Sequence, residues 1–197
     1  MIKAGVVLEQ ARHLPHPPTH GSWRACRRLA APRFSDLVVN RLGARFRGRQ
    51  FPCAIGRGGI VAEKREGDLS TPVGSFRLMW VYVRPDRLTR PETRLPLRPL
   101  DHRQGWSEAP EDPAYNQPIR HPHPYPADRM RRGDPLYDLC VVTDQNTDPI
   151  MPGAGSAIFV HLWRKPRHPT AGCVAFRRKD LLWILRRWSP HSGLIIR

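Results

Sequence analysis

GSAIFVHLWRKPRHPTAGCVAF, residues 155–176, joins two apolar runs through a short, basic, proline-containing segment. In the first run the side chains alternate. Ala157, Phe159, His161 and Trp163 share one face of a strand, and Ile158, Val160 and Leu162 take the other. A ring nitrogen near the end of such a strand is held rigidly and can still meet solvent. The second run opens on Cys173, directly after Gly172. A residue without a Cβ lets the backbone approach closely, and consecutive N–H groups can then face a developing oxyanion. The backbone around Thr170, Gly172 and Cys173 is the place for such an oxyanion hole. An ordinary thiol, with a pKa near 8.5, is only a few per cent ionised at neutral pH, so a nucleophilic cysteine needs a base or a positive environment. His161 can supply the base, and Arg164, Arg167, Arg177 and Arg178 are expected to favour a thiolate. Taken alone, these two residues fit a core histidine and a buried thiol better than a dyad.

The runs around this stretch predict a mainly β protein. Asp36–Asn40, "DLVVN", is a short β-branched strand. "ARFRGRQFPCAIG" follows, with Phe51, Cys53 and Ile55 alternating against Pro52 and Ala54, and the two segments are expected to pair as a hairpin. After the turn "GRGG" and the charged loop "EKREGDLSTPVG" comes "SFRLMWVYV", in which Phe76, Leu78, Trp80 and Tyr82 share a face. "LYDLCVVT" and "GSAIFVHLW" read as core strands, and "LIIR" as a closing one. The single convincing helix is "RKDLLWILRRW". Leu181, Leu182, Ile184, Leu185 and Trp188 fall at helical spacing, and Asp180 sits where the N-terminal dipole favours an anion. Residues 85–135 are rich in Pro, Arg, His and Asp and show no period, so they read as one long excursion.

Composition bounds the partners. With 197 residues and 40% hydrophobic content, the chain can bury one core and is expected to form a single domain over residues 36–197. Residues 1–35 then form a basic extension, either disordered or a mis-assigned start. The 22 prolines and 15 glycines are scattered without a period and favour turns and short strands. Lys and Arg number 33 against 17 Asp and Glu, for a net charge of +16. Such a chain gathers polyanions around it, and nucleic acid, an acidic membrane surface and a carboxylate-rich cell wall are all admissible. The basic residues are dispersed, however, so no specific nucleic acid is expected.

Cys26, Cys53, Cys140 and Cys173 show no C-x-x-C pair and no zinc spacing, and His121 and His123 have only prolines beside them, so no metal is expected. Cys53 and Cys140 sit in apolar runs and read as small buried hydrophobes rather than a disulfide. The N-terminal "AGVVL" is too short for a signal-peptide core and is followed by Glu9 and Arg12. No run approaches the roughly 20 apolar residues that cross a bilayer.

Three segments acquire a joint meaning. "IGRGGIVAEKREGDLSTPVGSFRL" carries Gly67, Asp68, Thr71, Pro72 and Gly74 in a G-D-x-x-T-P-x-G pattern; "GSAIFVHLW" carries His161; "PTAGCVAF" carries Thr170, Gly172 and Cys173. Together they resemble the L,D-transpeptidase catalytic domain, the YkuD-like family, from about Asp36 to the end of the chain. The resemblance implies a β-sandwich of mixed sheets with one or two short helices. It implies Cys173 as nucleophile and His161 as general base, acting without a cofactor on peptidoglycan stem tetrapeptides. The terminal D-Ala would leave, and an amine of a second stem peptide, or of an envelope lipoprotein, would take the acyl group. It also implies a place in the cell envelope or periplasm. Water as acceptor makes the same site a carboxypeptidase or an amidase. A basic binding module for peptidoglycan or nucleic acid, with Cys173 incidental, is the non-enzymatic alternative.

The chain departs from the family pattern at two positions, with Leu162 where many relatives have Gly after the histidine and Ala175 where many have Arg. Arg164 and Arg177 are the expected replacements for that cation. Tyr115 and Asn116 are candidates for the acceptor groove. Turn chemistry accounts for Asp68 and Thr71 without a substrate.

Overall fold

Proline has no N–H for a ladder, and Pro52 divides a stretch that alternation alone would make one strand. The computed structural model of the protein describes residues 31–197, so Cys26 and nearly all of the expected extension lie outside the described residues. The first strands are β1 (Leu37–Asn40), β2 (Gly43–Phe46), β3 (Arg49–Phe51) and β4 (Cys53–Ala54). β1 and β2 form the expected hairpin. The expected strand across residues 44–56 is instead three pieces, turned once at Arg47 and Gly48, both with positive φ, and broken again at Pro52. The break also changes the burial pattern: Phe51 and Ala54 are buried, while Cys53 and Ile55 are only partly so.

Next come β5 (Ile60–Val61) and β6 (Thr71–Pro72), then the long β7 (Gly74–Val83). Beyond it lie β8 (Leu97–Pro99), β9 (Gln104–Ser107), β10 (Pro118–Arg120), β11 (Ala127–Arg129) and β12 (Leu139–Thr143). The chain closes with β13 (Phe159–Leu162), β14 (Val174–Phe176), helix α1 (Arg178–Leu185) and β15 (Gly193–Ile196). The main sheet runs β3-β2-β1-β15-β7-β12-β13-β14-β4, with β8 added beside β7. Its pairs are mixed: β1 with β15 and β13 with β14 are parallel, while β7 with β12 is antiparallel. The strands that end this path, β3 and β4, are consecutive in the chain, so the sheet curls almost into a closed wall.

Two apolar clusters lie on opposite faces of that wall, and period-two alternation assigns the residues of β12 and β13 to them. In β7 the alternation slips beside an irregularity in its pairing with β12, so Phe76, Leu78 and Val81 enter one cluster and Trp80 and Tyr82 the other rather than sharing a face. Leu139, Val141, Val160 and Leu162 enter the larger cluster, where α1 contributes Leu181, Ile184 and Leu185 and the turn after it Trp188. Each such side chain contributes about 1.5–3 kcal/mol on burial, which is why an eight-residue helix without a side-chain N-cap holds its place. Cys140, Val142 and Phe159 enter the second cluster, with Tyr82, Leu100, Trp106 and Met130.

The excursion over residues 85–135 is not a featureless loop. It holds β8 and the separate three-stranded sheet β10-β9-β11. Trp106 of β9 meets Phe159 of β13 edge to face, with ring centroids 5.0 Å apart. Strands of three or four residues are too short to show a period, and the sheet gains its burial from lying over the second cluster.

Candidate active site

The parallel pairing of β13 with β14 sets Val160 beside Val174 and His161 beside Ala175. Cys173, one residue before β14, therefore falls next to Phe159. Its sulfur accepts the Phe159 N–H at 3.3 Å, and its thiol donates to the Ala157 carbonyl at 2.9 Å. Ala157 adopts φ +49, a conformation that disfavours a side chain. Asn116 holds it there, with Oδ1 accepting the Ala157 N–H at 3.0 Å and the Trp106 indole N–H at 3.1 Å.

The turn before Cys173 is equally fixed. The Thr71 hydroxyl accepts the Gly56 N–H at 2.8 Å and donates to the Gly172 carbonyl at 2.7 Å, tying β6 to the turn. Gly172 has φ +147, and a Cβ there would lie 2.9 Å from the Ser70 carbonyl oxygen, so a larger residue would push two backbones apart. Asp68 accepts the N–H groups of Arg65 and Ser70, both at 2.8 Å, which is turn chemistry.

His161 is 3% exposed, and its Nδ1 lies 2.7 Å from the Leu162 carbonyl. A carbonyl oxygen only accepts, so Nδ1 carries the hydrogen and Nε2 carries the lone pair. The group that orients this imidazole is thus a backbone carbonyl, which no residue type announces. The Tyr137 ring stands edge-on to the imidazole at 5.3 Å, and its hydroxyl donates to Asp128 at 2.6 Å. His161 and Cys173 both line one cleft of about 390 Å³, together with Tyr137, Asp128, Glu108 and Arg57.

Burial dominates the electrostatics. Desolvation pushes the Cys173 thiol up to about 12; the Phe159 N–H and Lys64 oppose it, and Asp128 and Glu108 add to it. Desolvation pushes His161 down to about 4, against the bond to Leu162. The resting pair is a neutral thiol and a neutral imidazole. Of the four arginines expected around the thiol, only Arg164 lines the cleft, where Arg57 and Arg132 join it; Arg167 is exposed and lies outside it. Arg164 lines the cleft but is 51% exposed and lies 3.4 Å from Asp134. Arg177 pairs with Asp180 at 3.1 Å at the start of α1 and does not line the cleft, and Arg178 lies 3.5 Å from Asp138. Ala175 is fully buried between His161 and Ala54; of the two expected replacements for a cation there, Arg164 lines the cleft and Arg177 does not.

Other expected positions also move. Tyr115 and Asn116 are buried and do not line the cleft that holds Cys173: the Tyr115 hydroxyl donates to Glu66 at 2.6 Å, and Asn116 Nδ2 donates to the Gln145 and Asn146 carbonyls. Among the expected oxyanion donors, the Thr170 N–H goes to the Ile55 carbonyl and the Gly172 N–H to Thr170 Oγ1. The Cys173 N–H has no acceptor among the described residues. Sequence reasoning missed Tyr137, Asp128 and Glu108 altogether; the only signal was the length of the excursion that carries Glu108 and Asp128.

The model of the L,D-transpeptidase catalytic domain, YkuD, matches residues 37–196. The chain belongs to that family. The match takes in nearly every described residue, so the sheet, the cleft and the excursion all belong to the YkuD domain. Comparisons with curated proteins and with solved structures found no match. Among the described residues no helix of this YkuD domain is long and apolar enough to cross a membrane.

Proposed function

We propose that this YkuD-family domain is a cysteine acyltransferase that acts on peptidoglycan stem tetrapeptides in the cell envelope. The observation that carries the reading is that one half-buried thiol and one imidazole, whose Nδ1 is tied to the Leu162 carbonyl, line a single cleft. Nε2 of His161 takes the thiol proton as Sγ attacks the carbonyl of the third stem residue. Because the resting groups are neutral, proton transfer accompanies attack rather than preceding it. The Cys173 N–H faces the developing oxyanion, a contribution of about 3 kcal/mol for one such donor. The protonated imidazole then gives its proton to the departing D-Ala amine, and a thioester remains on Cys173. An amine from a second stem peptide or an envelope lipoprotein takes the acyl group.

Hydrolysis on the same site is the second reading, favoured by residues 164–169, an exposed rim from which water reaches the cleft. Intact-mass spectrometry of the full chain with a muropeptide tetrapeptide, with and without an acceptor amine, separates the two. An adduct on Cys173 that amine discharges into a cross-linked product establishes transfer. Discharge by water alone establishes a hydrolase, and no adduct with reduced Cys173 sinks both readings.

A further inference from the structure

Glu108 follows β9, in the excursion sheet, and its carboxylate lines the cleft that holds Cys173 and His161. Among the described residues its carboxylate has neither a hydrogen bond nor an ion pair, while its N–H donates to the Pro126 carbonyl. Asp128, its acidic neighbour across the β9–β11 pairing, is committed to the Tyr137 hydroxyl at 2.6 Å and to Arg132 at 3.2 Å. Arg57, Arg132 and Arg164 line the same cleft, but Arg132 and Arg164 are paired with Asp128 and Asp134, which leaves the Glu108 carboxylate as the place where a cation is held. A second observation points to a ligand at the same place: His161, 3% exposed, has an Nε2 lone pair with no partner among the described residues, and that residue lines this cleft.

Resting on the acyl-transfer reading, we propose that Glu108, with Asp128 beside it, binds the ammonium group of the acyl acceptor and passes it to the thioester on Cys173. The acceptor class is a primary alkyl ammonium. It arrives as R–NH3+ and gives one proton to the Glu108 carboxylate. Its nitrogen lone pair then bonds to the thioester carbonyl carbon, and the C–Sγ bond breaks. A second nitrogen proton passes through His161 to the departing thiolate, leaving an amide and a thiol, and Glu108 releases its proton to water. Glu108 remains an exposed residue where it lines the cleft; desolvation, together with Asp128 and Glu66 and against Arg132, raises its carboxyl pKa, which favours its holding that proton.

The test uses the full chain, the tetrapeptide donor and Nα-acetyl-lysine methylamide as the amine. Aminolysis and hydrolysis compete for one thioester, so their product ratio does not depend on how fast Cys173 is acylated. Glu108→Gln is expected to lower the amine-to-water ratio at least tenfold, through a higher amine concentration for half-maximal transfer. Glu108→Asp is expected to recover part of it, and Glu111→Gln, outside the cleft, to leave it as it was. An unchanged ratio in Glu108→Gln overturns the assignment while the acyl-transfer reading stands. Absence of any thioester in the unaltered chain overturns both.

Discussion

The Cys173 thiol donates to the carbonyl oxygen of Ala157 at 2.9 Å, and Ala157 is itself held at φ +49 by the Asn116 side chain. The sulfur is therefore positioned by a chain of contacts that starts at Trp106 in the excursion sheet, passes through Asn116 in the loop between β9 and β10, and ends at the cleft.

Asn116→Ala tests that chain. It strands the buried Trp106 indole N–H and the part-buried Ala157 N–H, and removes the donor to two carbonyls. A cost of about 3 kcal/mol in urea unfolding is expected, since each stranded buried group costs about 1–3 kcal/mol. A loss below about 1 kcal/mol would show that Ala157 holds its conformation unaided.

His161 links stability to pH. Its pKa is 6.5 when exposed and about 4 when folded, so between those values the unfolded chain binds more protons. Stability is fully present above about pH 6.5, falls as the pH drops through that window, and is lost by about 4. The size of the loss is about 3 kcal/mol. Denaturant melts at several pH values should show this slope, and His161→Gln should flatten it.

The same values shape the acylation profile. The imidazole stays neutral down to about pH 4 and the thiol stays protonated up to about 12. The second-order rate constant for acylation of Cys173 by a carbapenem should be flat from about pH 5.5 to 8.5. A bell centred near neutrality would mean that a preformed thiolate–imidazolium pair is the reactive form.

Thr71 joins two segments through one hydroxyl. Thr71→Val keeps the shape and leaves the Gly56 N–H and the Gly172 carbonyl without their partner. A loss of about 2 kcal/mol in stability and slower acylation are expected, with Thr71→Ser restoring both. Normal acylation in Thr71→Val would separate the turn's geometry from this bridge.

The sequence pattern carried the parts of the fold whose signals are local. The alternation in β13 sorted Phe159 and His161 from Val160 and Leu162, and the helical spacing around Leu181 placed α1 on the larger cluster. Residues 85–135 carried no such signal, because strands of three or four residues depend on partners far along the chain. The polar candidates were less legible for a related reason. Arg177, Tyr115 and Asn116 carry suitable chemistry, but a sequence does not show that Asp180, Glu66 and the Gln145 carbonyl already occupy them. Cys173 and His161 were visible as residue types, while the Leu162 carbonyl that sets the imidazole is common to every residue.

The joint at Pro52 has a consequence for how copies of this chain meet one another. A path of nine paired strands would ordinarily end in two raw edges, each able to template pairing with a second molecule. Here the terminal strands are three and two residues long, and one proline couples them. Neither offers a long run of unsatisfied backbone, so at this joint the main sheet presents little edge for a further strand to pair with.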